Sequence, residues 1–168
     1  MPGWIRAYVR VVEAVNYRVG RFAMYLLFVI MGILIWSSIT KIAGVPALWT
    51  LEMAQFTLVA YYLLGAPYSL QLGSNVRMDL LYAQLRPRTQ AWWDVITIFA
   101  LIFYLGVMLF GAVESTTYSL EVGERSPTAW RPYLWPIKIV ICLAFVLMLL
   151  QAFVHLFRDI ATLRGEEL

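Results

Sequence analysis

Four long stretches of this chain, Phe22–Thr40, Met53–Val76, Val95–Val113 and Ile139–Phe157, carry no acidic or basic side chain apart from the single His155. Each has roughly the ~20 residues that an α-helix needs to cross a hydrocarbon layer of ~30 Å. Their apolar character runs all the way round the helix, whereas a soluble helix keeps one polar face. A bilayer offers no water to backbone N–H and C=O groups, and an isolated apolar segment pairs them internally only as a helix. The chain therefore reads as an all-α integral membrane protein, a single domain over residues 1–168. Four transmembrane helices are expected at about residues 22–41, 50–72, 92–116 and 136–158. With 62% hydrophobic and only 14% charged residues, little is left for a domain outside the membrane.

Orientation follows from the basic residues. Arg6, Arg10, Arg18 and Arg21 precede the first span, Arg77, Arg86 and Arg88 lie in the second connection, and Arg158 and Arg164 end the chain. The other two connections hold only Lys41, Arg125, Arg131 and Lys138. By the positive-inside rule both termini face the cytoplasm. All seven tryptophans fall at or near the expected span ends, as an aromatic belt requires. The first apolar run starts too late and runs too long for a signal peptide, so it is expected to be retained.

Two amphipathic segments flank these spans. In residues 1–21, Trp4, Tyr8, Val11, Val12, Val15, Val19 and Phe22 share one helical face. This N-terminal helix either lies in the headgroup layer or extends the first span inward. In the second connection, Asn75 is placed to cap a short cytoplasmic surface helix carrying Met78, Leu81, Tyr82 and Leu85 at helical spacing, ended by Pro87. Gly44-Val45-Pro46 makes a tight turn, so spans one and two run antiparallel as neighbours.

Sites of chemistry are scarce. Solute carriers build their sites at mid-membrane from broken helices and polar side chains. Here the span centres read Ile30-Met31-Gly32, Tyr61-Tyr62-Leu63, Phe103-Tyr104-Leu105 and Leu147-Met148-Leu149. A lone histidine argues against haem, and neither a phosphate-binding loop nor a metal spacing is found, so no enzyme, cofactor or metal is expected. Cys142 reads as a small buried residue.

Four polar residues stand out. Glu52 sits in the first turn of span two, where the helix dipole accommodates it, while the dipole opposes Lys138 at the start of span four. Lys138 either snorkels to headgroups or pairs with Glu52 across the outer surface. Arg77 and Asp79, two apart, do not face each other on a helix; they are either solvated charges or contacts for a partner. Gly32, Gly65, Gly106 and Gly111 are places where a helix could approach closely, from within this chain or from another.

Several of these residues form a pattern. Glu52 follows Trp49, and Gly65 precedes Gly73-Ser74-Asn75-Val76-Arg77-Met78-Asp79. An outer Gly123-Glu124-Arg125-Ser126 precedes Trp130, Pro132 and Pro136-Ile137-Lys138. With four spans and internal termini, the chain resembles the small permease subunit, the DctQ family, of tripartite ATP-independent periplasmic (TRAP) transporters. One departure is Asn75, where the family often has histidine. The resemblance implies a scaffold subunit with no solute path of its own. It would bind a large multi-span subunit that carries sodium and an organic acid or carboxylate by an elevator movement, supplied by a periplasmic solute-binding protein. Glu52, Asn75, Arg77, Asp79, Glu124, Arg125, Ser126, Trp130 and Lys138 become its candidate interface or structural residues. The competing readings are an anchor or assembly subunit of another membrane complex, and a small self-assembling transporter.

Overall fold

The computed structural model describes residues 3–73 and 87–164, and every regular element among them is a helix: α1 (Gly3–Ile42), α2 (Trp49–Gln71), α3 (Pro87–Val122) and α4 (Trp135–Arg164). The surface helix expected after Asn75, with Arg77 and Asp79, lies outside the described residues. Among the described residues, three helices are long and apolar enough to cross a membrane: α1, α3 over Ile96–Val122 and α4 over Trp135–Ala161. The second expected span, α2, is long enough at 23 residues, but Glu52, Gln55, Gln71, Pro67 and three tyrosines dilute its apolar character.

At 40 residues, α1 is about 60 Å long at 1.5 Å per residue, about twice the hydrocarbon thickness. The amphipathic N-terminal segment is thus the N-terminal half of the first helix, not a separate one. Its buried face also differs from the expected stripe. Ile5, Val9, Val12, Asn16, Gly20 and Ala23 are buried, whereas Trp4, Val11 and Phe22 are 65%, 61% and 60% exposed. Where lipid covers an apolar side chain as well as protein does, close fit and polar pairing select the buried face, and bulk greasiness does not. Two of those buried positions are the smallest available residues, and a third is an amide.

Helices α1, α2 and α4 pack on one another, and α3 rests mainly on α4. At the N-terminal end of α1, Ile5, Val9 and Val12 enclose Val154 of α4, with Tyr8, Leu150 and Phe157 around them. Further out, Ala23, Leu64 and Ala144 bring the three helices together. At Gly20 α1 and α2 approach closely: a Cβ there would lie 2.3 Å from Tyr68 Cβ. Gly32, Gly65, Gly106 and Gly111 have no described residue within 4 Å of that position, so packing among the described residues does not account for them.

Helix ends explain the connections. Gly44 takes φ +74, Val45 N–H reaches Thr40 O at 3.1 Å and Gly44 N–H reaches Lys41 O at 3.2 Å. This paired closure satisfies two of the terminal carbonyls and needs a left-handed residue. Gly123 ends α3 the same way at φ +64, with Glu124 N–H on Ser119 O at 3.1 Å.

Candidate interaction sites at the two ends of the helices

The loop from 123 to 134 folds back on itself. Ser126 N–H bonds Pro132 O at 2.9 Å and Leu134 N–H bonds Glu124 O at 3.1 Å, and Arg125 and Tyr133 form a lone antiparallel bridge. This short ladder sets Glu124 over the first turn of α4. Lys138 Nζ donates to Glu124 Oε2 at 2.7 Å and to Ser115 O at 3.4 Å, and the Ser119 hydroxyl donates to the same carboxylate oxygen. The hydrogen bonds from Lys138 and then Ser119 hold the Glu124 carboxyl below its usual pKa. Arg125 donates to the Tyr133 hydroxyl and stacks its guanidinium 4.2 Å from the ring centroid.

Lys138 thus answers its unfavourable place on the helix dipole with Glu124 rather than with Glu52, the pair weighed against snorkelling to headgroups. Two residues of one hairpin meet at lower entropic cost than partners on distant helices. Glu52 is instead 6% exposed, with Oε2 lacking a hydrogen-bond partner. Beside it in sequence, Thr50 donates to Ser37 Oγ at 3.1 Å and to Ala47 O at 2.8 Å, fastening the start of α2 to α1.

Among the expected site residues, Glu124, Arg125, Ser126, Trp130 and Lys138 are gathered around the outer loop and the start of α4. Thr128 reaches Ser126 Oγ at 3.1 Å, and Trp130 is partly exposed. Glu52 stands apart at the α1–α2 turn, and Asn75, Arg77 and Asp79 fall outside the described residues.

Sequence reasoning missed the inner network. Asn16 Nδ2 donates to Gln151 Oε1 at 2.7 Å, with both residues fully enclosed between α1 and α4. Tyr8 donates to Leu150 O at 3.1 Å, and Arg158 pairs with Glu13 at 2.5 Å. His155 Nε2 donates to Leu70 O at 3.0 Å, closing the end of α2. Gln151 was the available signal: it is the one amide in the fourth uncharged stretch. Among the described residues, then, the buried polar side chains divide into a pair, Asn16 and Gln151, toward the start of α1 and the end of α4, and a set, Ser37, Thr50, Glu52, Thr116 and Ser119, toward the opposite ends. Between them the enclosed residues include Ala23, Ile30, Leu64, Leu105, Ala144 and Leu147. No cluster of residues among those described is suited to a metal ion.

These features define a helical membrane protein whose polar contacts join helix to helix at the two ends and leave the middle apolar. Residues 30–162 match the family described as tripartite ATP-independent periplasmic transporters, DctQ component. The chain belongs to that family; it is a transporter component that works with the large permease and the binding protein. No curated protein and no solved structure gives a match.

Proposed function

We propose that this chain is the static small subunit of a sodium-coupled TRAP transporter for organic acids or carboxylates, bracing a large elevator-type permease and carrying no solute itself. In this reading α2 is the second of four spans, paired antiparallel with α1 and shielded by it and by α4. Both termini face the cytoplasm of a bacterial inner membrane, and the 123–134 loop faces the binding protein outside. The main support is the segregation of buried polar groups: the outer and inner sets are separated by an apolar middle, and a solute path needs polar groups at that depth. A brace also needs exposed apolar surface for lipid and partner, and Phe99, Phe103, Phe110 and Tyr118 of α3 supply it.

The test is purification of a tagged copy in mild detergent, followed by reconstitution. The large permease should co-purify, and liposomes containing this chain alone should accumulate no labelled dicarboxylate under a sodium gradient. Uptake by the lone chain would overturn the proposal, as would purification without any multi-span partner.

A further inference from the structure

The outer loop also shapes a groove. Trp130, Pro132, Tyr133 and Trp135 bound one end of an apolar cavity of about 530 Å³. The outer part of α2, from Met53 to Ala60, forms a wall, and Leu26 of α1 and Val140 of α4 also line it. That stretch of α2 covers about 10 Å at 1.5 Å per residue. The hydroxyls in these walls are already engaged: Thr57 donates to Met53 O at 2.7 Å within its own helix, and Tyr133 receives Arg125. The surface is therefore suited to hydrocarbon.

At the lip, between the lining residues Trp130 and Pro132, sits Arg131 with φ +52. Residues other than glycine rarely adopt that conformation, and a following proline restricts the backbone further. The fold thus holds a cation here against local preference. Arg125 is committed to Tyr133 and Lys138 to Glu124, whereas Arg131 is exposed and has no hydrogen bond or ion pair with the described residues.

We propose that the groove holds an acyl chain of one outer-leaflet glycerophospholipid, whose phosphate sits on Arg131. The inference rests on the membrane orientation proposed above. A helix of another protein would need a path of ~20 residues through the bilayer, but this groove is short and ends at the loop. A flexible chain with an anionic head beside a ring of tryptophan and tyrosine fits both its length and its charge.

The experiment is native mass spectrometry of the full chain, extracted in mild detergent, stripped, and titrated with phosphatidylglycerol or with phosphatidylcholine. One phosphatidylglycerol per chain should survive activation that removes the rest. Ala60→Trp, which fills the groove, should lower retention at least about tenfold, the equivalent of roughly two buried methylenes. Arg131→Gln should narrow the preference for phosphatidylglycerol, and Ala100→Trp on the exposed side of α3 should change nothing. Retention that survives Ala60→Trp, or falls equally in Ala100→Trp, overturns the proposal, provided circular dichroism shows each variant folded. A disulfide crosslink from Ala60→Cys to the large permease would also overturn it, by showing protein in the groove. Resistance of the chain to alkaline extraction from membranes reports separately on the membrane reading.

Discussion

Helices α3 and α4 are almost equal in mean hydropathy, 2.5 and 2.6 over their most apolar stretches, yet their surroundings differ greatly. Along α4, Ala144, Leu147, Gln151, Ala152, Val154, Leu156 and Ala161 are buried. Along the described side chains of α3, only Leu105, Thr116 and Ser119 are. Thr116 meets Cys142 of α4 at 3.2 Å, so even these mark one narrow seam. The difference teaches that hydropathy reports compatibility with lipid and says little about the number of protein neighbours. In water the exposed α3 would be driven to cover itself; in a bilayer that drive is absent, and small-residue fit and polar pairing decide which helix is central.

This contrast can be broken experimentally, most severely at Gly20. Gly20→Val should destabilise the chain by about 1–3 kcal/mol or more, because Tyr68 leaves no room for a side chain and the α1–α2 backbones must part. Resistance to denaturation by SDS measures it. Next comes the inner amide pair. Asn16→Leu should cost about 1–3 kcal/mol by stranding Gln151, and Asn16→Leu with Gln151→Leu should recover much of that loss. Additive losses in the same denaturation assay would show that the pair is not coupled.

A smaller and local effect is expected where α3 hands over to α4. Glu124 has its pKa lowered in the fold, so the hairpin's stabilisation by this carboxylate is present above the unfolded carboxyl pKa and lost as pH falls through the lower folded value. Hydrogen exchange at residues 124–134 should therefore rise at acid pH below the ordinary carboxylate range. Lys138→Met should raise it already at neutral pH and shift the acid transition upward. Least affected should be Gly106→Ala and Gly111→Ala on α3, which meet open space and should change the lone chain's stability by within about 0.5 kcal/mol. A loss of the large permease on co-purification of either variant would place the partner on that face.

Much of the architecture was legible before any tertiary information. The uncharged runs located α1, α3 and α4 by their length alone, and Gly44 with Pro46 marked the turn that pairs α1 with α2. The outer loop was recognisable as a unit from Glu124, Arg125, Trp130 and its prolines. What stayed hidden was partner choice. Lys138 had several carboxylates to choose from, Glu52, Glu121 and Glu124 among them, and linear spacing does not say which one a folded loop will present to it.

The sequence by itself determined that this chain is helical and suited to a bilayer, and which family it joins, because water, lipid and backbone hydrogen bonding act on every uncharged twenty-residue run alike. Tertiary structure alone decided that Asn16 turns inward while Trp4 turns outward, that Gly20 rather than Gly65 takes the close approach, and that α4 is central while α3 lies at the edge. Those outcomes depend on the shapes and polar atoms of two surfaces meeting, and neither surface carries that information alone.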